Sequence, residues 1–177
     1  MKGIKDKIID YEQNKEEIEK WLYVKGEEKY NEYFIILEKY NIKTTWESLS
    51  QLYRYDKRLI FNLFKYFSMF EEYLRAIILR HNKQTDYEVL NRQLFSVIIK
   101  RNKDVLEKYF NYEQLEQLIE LRNAVAHTII IVDNDLLTGK ISLLKNLLPQ
   151  AYKENFSNNI NESVKGLEIS DNLSIKI

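Results

Sequence analysis

Three residues within two helical turns carry the clearest chemistry in this chain. They are Arg122, Asn123 and His127, in the hexapeptide Arg122-Asn123-Ala124-Val125-Ala126-His127. A guanidinium binds phosphate through a planar fork of donors. An imidazole gives and takes a proton near neutral pH. With an amide between them, these are the right groups for phosphodiester chemistry. His127 is one of only two histidines. The other, His81, sits beside Arg80 and Asn82 and reads as a helix-end residue with no catalytic partner. By spacing alone there is a plainer reading: Arg122 snorkels from an apolar stripe, and His127 ends a helix, where a cation is mildly favoured.

The elements that must position these groups follow from apolar periodicity. The motif helix runs from Tyr112 to about Thr128, with Asn111 as its cap. Leu115, Leu118, Ile119, Arg122, Val125, Ala126 and Ile129 share one side of it. An arginine on that side needs an acceptor. Arg122 and His127 are five residues apart, about 140° around the axis, so they do not point the same way. Asn123 and His127 are i, i+4 neighbours. Ala124 and Ala126 keep the surrounding surface low.

The strongest helix spans Asp56 to Arg80, with Leu59, Ile60, Leu63, Phe64, Phe67, Phe70, Leu74, Ile77 and Ile78 in phase. Glu71 falls on that apolar face. A carboxylate there is costly unless paired. Arg75, one turn later, can pair with it, and Glu71 is in turn a candidate acceptor for Arg122. Alternatively Glu71 lies at the margin of the stripe and reaches solvent.

The rest also reads as helix, because four glycines and one proline leave little room for β-turns. Helices are expected over Ile4–Val24, ended near Gly26, and over Glu27–Tyr40, with Tyr30, Tyr33, Phe34 and Leu37 on one face. Residues 41–45 break the pattern. Thr45 is a plausible cap, but Ser48 rather than Glu follows three residues on, which predicts no capping box. Asp86 could cap a helix over Tyr87–Lys100, and a shorter one spans Asp104–Phe110. Thr128–Val132 is β-branched and fits a strand or a helix end; Asp133–Asp135 reads as a loop. Ile141–Leu148 is a short helix stopped by Pro149, and Gln150–Val164 a last one, with Gly166 as its cap. The expected fold is an all-α single-domain helical bundle over 1–168, with a short irregular or β-like segment near 128–135. It divides into a helical extension (1–44), a core (45–135) and C-terminal helices (141–165), followed by a flexible tail (169–177).

Composition narrows the function classes. A chain of 177 residues favours one domain and can bury roughly two-thirds of its unfolded surface. The 27 basic and 27 acidic residues cancel, which argues against a large non-specific nucleic-acid surface but not against a compact site. There is no cysteine, so disulfides and thiolate metal sites are impossible and a reducing cytoplasm suits the chain. The N-terminus lacks a signal-like apolar stretch, and no run reaches the ~20 apolar residues of a membrane span. Two histidines leave only carboxylate-rich metal sites. The nearest, Asp133-x-Asp135, lacks the glycine and distal glutamate of a calcium loop, so no metal and no cofactor is expected. No glycine-rich phosphate cradle exists. The thirteen tyrosines could stack on bases or serve as amphipathic residues at the edge of the core.

Two segments taken together resemble the Abi-like, abortive-infection branch of the HEPN superfamily. One is Arg58-Leu59-Ile60-Phe61-Asn62-Leu63-Phe64, continuing through Phe70-Glu71-Glu72-Tyr73-Leu74-Arg75-Ala76-Ile77, an apolar helix with a Glu-x-x-x-Arg signature. The other is Leu121 to His127, similar to the Arg-x4-His motif of HEPN ribonucleases and to the Arg-Asn-x3-His of RNA-cutting CRISPR effectors. The resemblance covers roughly residues 45–135. It implies metal-independent RNA cleavage by attack of the ribose 2′-hydroxyl, with His127 as general base or acid and Arg122 on the phosphate. Asn123 would orient His127 or a phosphate oxygen, and Glu71 and Arg75 would fix Arg122. Such enzymes bring two motifs together by dimerising, so a twofold homodimer through the Arg122–His127 helix is implied. An antitoxin or a regulatory RNA or protein is a possible further partner. One position departs from the pattern: HEPN toxins paired with small nucleotidyltransferases carry a tyrosine two residues after the histidine, where this chain has Ile129. A non-catalytic HEPN-like module binding RNA or protein is the alternative.

Overall fold

A computed structural model of the chain describes residues 3–169 and 171–175. The protein is all-α, with no strand among the described residues, and none of its helices is long and apolar enough to cross a membrane. Its described residues divide into two compact units, those of Met1–Arg58 with Val164–Ser174 and those of Leu59–Ser163 with Ile175–Ile177.

The first unit holds a 3-10 turn at Ile4–Lys7, helix α1 (Lys15–Lys25), helix α2 (Glu27–Lys39) and the opening turns of α3 (Trp46–His81). The single helix expected over Ile4–Val24 is therefore broken. Its middle makes hydrogen bonds elsewhere: Ile9 N–H donates to the Thr44 carbonyl at 3.0 Å, and Asp10 accepts from Trp46 N–H at 2.8 Å and from the Asn14 amide at 2.9 Å. The Ile9 N–H so engaged cannot also close a helical ladder; Asp10 accepts through its side-chain oxygens. Helix α2 ends with Asn41 at φ 54, with Asn41 N–H on the Glu38 carbonyl and Ile42 N–H on that of Leu37. This is a Schellman cap.

Helix α3 begins at Trp46, ten residues before the expected Asp56. A capping box starts it after all. Thr45 N–H donates to Ser48 Oγ at 3.0 Å and Ser48 N–H to Thr45 Oγ1 at 3.1 Å, so serine does the reciprocal work usually given to glutamate. Tyr30, Tyr33 and Leu37 are buried, as are Leu49, Leu52 and Tyr55. The Tyr33 hydroxyl donates to the fully buried Asp56 at 2.8 Å. The tail adds a 3-10 turn at Asp171–Leu173, with Leu173 buried; Ser170, Lys176 and Ile177 lie outside the described residues.

The second unit holds α3 from Leu59 onward, α4 (Tyr87–Asn91), α5 (Phe95–Arg101), α6 (Lys103–Leu106), α7 (Tyr112–Ala126), α8 (Asp135–Leu147) and α9 (Gln150–Ser163). Helix α7 packs on α5 and α8, and α8 on α9. Edge-to-face ring pairs lock the long helix to its neighbours: Phe67–Phe95 at 5.7 Å, Phe70–Phe110 at 5.9 Å and Tyr66–Phe156 at 4.8 Å. A polar seam ties α9 to α3. The Asn62 amide donates to the Asn159 carbonyl and to Ser163 Oγ, and the Asn159 amide to the Tyr66 hydroxyl.

Several boundaries differ from expectation. Asp86 caps α4, accepting from Glu88 N–H at 2.7 Å, but the helix expected over Tyr87–Lys100 stops at Asn91 and restarts at Phe95. The helix expected over Asp104–Phe110 shrinks to α6 and the turns after it. Helix α8 starts at Asp135 rather than Ile141, because Asn134 Oδ1 accepts from Leu137 N–H at 3.1 Å. Between α7 and α8, Thr128–Val132 forms a turn and an irregular link, not a strand, with Ile131 and Val132 buried.

In the first unit the Tyr30 phenol is pushed up to about 12, first by burial and then by Tyr53 and Glu17. Tyr33 moves in the same direction, by burial and then by Asp56. A raised value means that the folded chain holds the proton more tightly than the unfolded one. That stability is complete below the unfolded value, about 10, and is lost as pH climbs toward about 12. Tyr30→Phe should flatten the alkaline fall in stability, measured by urea unfolding across that window. An unchanged slope would show that Tyr30 ionisation does not drive it.

Candidate active site

The site is built in the second unit, where α3 meets α7. Glu71 is 9% exposed. Its Oε1 accepts from Arg122 Nε and its Oε2 from Arg75 Nη2, each at 3.1 Å. Of the two readings of Glu71, the paired one holds and the solvent-facing one does not: one carboxylate bridges two guanidiniums. Arg75, also 9% exposed, reaches further. Its Nε donates to the Leu90 carbonyl and its Nη2 to that of Gln93, both at 3.5 Å. In an unbroken helix Leu90 would accept from Leu94 N–H. Here Leu94 is extended, at φ −67 and ψ 150, and the Leu90 carbonyl accepts from Gln93 N–H at 3.2 Å as well as from Arg75. The helix breaks there with neither proline nor glycine in the segment.

Arg122 sits at the rim. Its side chain is a quarter exposed, and among the described residues its terminal Nη groups have no hydrogen-bond partner. It lines a pocket of about 80 Å³ with Phe64, Phe67, Ser68, Glu71 and Val125. The buried face of α7 is rotated from the expected one: Leu121 and Ala124 are buried, whereas Ala126 and Ile129 are exposed. Phe64, expected in the core, is 55% exposed, and Phe61, one turn earlier, 70%. The solvent-facing Phe64 beside the arginine is not foreseeable from the sequence, because it satisfies the same i, i+3, i+4 rule as its buried neighbours.

Asn123 opens onto a different depression. It lines a cleft of about 530 Å³ with Glu116, Glu120, Lys100 and Asn134, and Glu120 is paired with Lys140. His127 is the C-cap of α7. Its backbone N–H closes the last turn on the Asn123 carbonyl at 2.9 Å, and its ring is exposed with no hydrogen bond among the described residues. Thr128 follows at φ 53. With Thr128 N–H on the Val125 carbonyl and Ile129 N–H on that of Ala124, this is a second Schellman cap. Asn41 tolerates the left-handed conformation at the first; a β-branched threonine does so at a cost. The turn fixes where α7 stops and hence where His127 stands.

Glu71, Arg75 and Arg122 are therefore brought together, while among the described residues no side-chain hydrogen bond joins Asn123 or His127 to them; the two meet only through the backbone bond that ends α7. His81 does have a partner, the Tyr109 hydroxyl, with the rings edge-on at 5.3 Å. Among the described residues no group of three or more histidines or carboxylates could hold a metal ion.

Removing one partner of a buried ion pair typically costs about 3–5 kcal/mol, because the other charge is stranded. Glu71→Ala strands two, so a loss of that size is expected in urea unfolding; a loss below about 1 kcal/mol would mean that the bridge does not hold Arg122. Thr128→Gly should raise stability by about 1 kcal/mol by relieving the left-handed strain, whereas a lower melting temperature would show the strain to be compensated. Comparison of the chain with protein families, curated proteins and solved structures finds no match.

Proposed function

We propose that this chain is an endoribonuclease of the HEPN type, Abi-like branch, that acts in phage defence or as a toxin. The observation that carries the reading is the anchoring of Arg122. Glu71 holds it through Nε, which leaves the Nη fork for a phosphate, and the exposed His127 ends the same helix. In this reaction the ribose 2′-oxygen attacks the adjacent phosphorus and the bond to the 5′-oxygen breaks. One histidine takes the 2′-proton and another gives a proton to the leaving 5′-oxygen. The products are a 2′,3′-cyclic phosphate and a 5′-hydroxyl. Arg122 offsets charge growing on the phosphoryl oxygens, and Asn123 orients a phosphate oxygen or the imidazole. None of these steps calls on a metal or cofactor.

Each chain supplies one such histidine, so the reading includes a twofold homodimer in which two α7 helices face one cleft. The exposed Phe61 and Phe64, the latter lining the Arg122 pocket, and the exposed Ile129 support it: apolar surface around a polar site is what a partner would cover. A cytoplasmic setting and control by an antitoxin or a regulatory RNA or protein fit the same reading. The alternative is a non-catalytic RNA- or protein-binding module, and one observation favours its protein-binding form: the cleft beside Asn123 carries Glu116 and Glu120 as well as Lys100, and the two carboxylates do not attract a polyanion.

Incubation of the purified chain with RNA in EDTA tests the proposal. Cleavage to cyclic-phosphate ends is expected to persist in EDTA, to fall at least about a hundredfold in His127→Ala, and to accompany a particle of twice 21.4 kDa in light scattering. Equal activity in wild type and His127→Ala, or cleavage by a strictly monomeric species, would sink it.

A further inference from the structure

The first unit carries a pocket that the cleavage reading does not use. Four rings form it: Trp21 from α1, Tyr30 from α2, and Trp46 and Tyr53 from the start of α3. Its volume is about 180 Å³, below the roughly 300–1,000 Å³ of pockets for drug-sized ligands and suited to one small planar ring system. Tyr30 lies 5.4 Å from Trp46 and 5.7 Å from Tyr53, centroid to centroid. Glu17, Ser50 and Arg54 complete the lining.

Charge around these rings separates two ligand classes. An aromatic box with a carboxylate could take an alkylated ammonium or a nucleobase. Here the rings already have cations against them. Lys20 Nζ lies 5.5 Å from the Trp21 ring, Lys25 Nζ 5.7 Å from both Trp21 and Tyr53, and Lys57 Nζ 5.6 Å from Tyr53. With Arg54 that makes four cations. Of the nearby carboxylates, Glu47 is paired with Arg54 at 3.0 Å and Asp56 and Glu32 act on Lys57, which leaves Glu17 against Lys20 and Lys25. A cationic ligand would meet repulsion, whereas a planar base carrying a phosphate would meet rings, an acceptor for its amino edge, and lysines.

We infer that the Trp21–Tyr30–Trp46–Tyr53 pocket binds a nucleotide, with the base against the rings, Glu17 and Ser50 at its polar edge, and its phosphate on Lys25 and Arg54. The source is either a free nucleotide or an unpaired residue of single-stranded RNA. The inference does not rest on catalysis by His127.

The chain has only two tryptophans, and both line this pocket. Intrinsic tryptophan fluorescence of the full-length protein is therefore a direct readout. Nucleoside monophosphates, a short single-stranded oligoribonucleotide, ribose 5-phosphate and tetramethylammonium chloride are titrated in parallel. Saturable quenching by the nucleotides, the oligoribonucleotide or both is expected, with none from ribose 5-phosphate or tetramethylammonium. Quenching by the oligoribonucleotide at much lower concentration than by monophosphates identifies RNA as the source; the reverse identifies free nucleotides. Tyr53→Leu should weaken binding about tenfold, and Lys25→Glu, a surface change, should weaken it in a salt-dependent way. His127→Ala should bind as wild type, so loss of cleavage with intact quenching keeps the two readings apart. Saturation by tetramethylammonium alone, absence of saturable quenching by any nucleotide, or affinity unchanged in both Tyr53→Leu and Lys25→Glu would overturn the inference.

Discussion

The carboxylate of Glu71 between the guanidiniums of Arg75 and Arg122 is the constraint around which the second unit is organised. Such a group cannot stay unpaired at 9% exposure, and each partner it recruits has a second task. Arg75 directs its remaining donors to the Leu90 and Gln93 carbonyls, so the bridge on α3 also reaches the break between α4 and α5. Arg122 joins α7 to α3 and keeps its terminal nitrogens outside. A buried charge cluster of this kind is weak evidence for net stability. Its value is register: only one rotation of α7 lets Arg122 reach Glu71 while Leu115, Leu118 and Leu121 remain buried.

That rotation governs the candidate site. With Arg122 turned toward α3, Asn123 must face the α7–α8 cleft, and His127 falls at the point where the helix ends. A strained Thr128 reverses the chain immediately after it. Local strain persists where the surroundings overdetermine it, and here the two Schellman hydrogen bonds and the buried Ile131 and Val132 just beyond do so. One chain thereby presents one anchored arginine and one exposed histidine at the end of the same helix. Cleavage that needs both a proton acceptor and a proton donor therefore calls for a second copy.

The first unit is governed by a different kind of pairing. Asp10 takes the Trp46 N–H, and Ile9 takes the Thr44 carbonyl. These bonds dissolve the first predicted helix, while the Thr45–Ser48 box starts α3 early. The consequence is a cluster of tryptophan and tyrosine rings with lysines over their faces, built from residues that sequence periodicity could read only as amphipathic core.

Much was legible in the residue order alone. Scarce glycine and proline, the 3.6-residue periodicity of α3, and the Asp86 and Asn111 caps are local properties, so the all-α class and the type of most helices could be read from residue order. Glu71 is likewise legible as a candidate acceptor for Arg122, because a charge on an apolar stripe demands a partner whatever the fold. What residue order could not supply were the outcomes of competition between distant groups. Whether Phe64 faces the core or solvent, whether residues 87–100 make one helix or two, and where Ile4–Val24 breaks each depend on a partner far away in the chain. Periodicity fixes a face only to within the width of its stripe. Tertiary contacts decide which edge of that stripe is buried, and so on which side of α7 the chemistry stands.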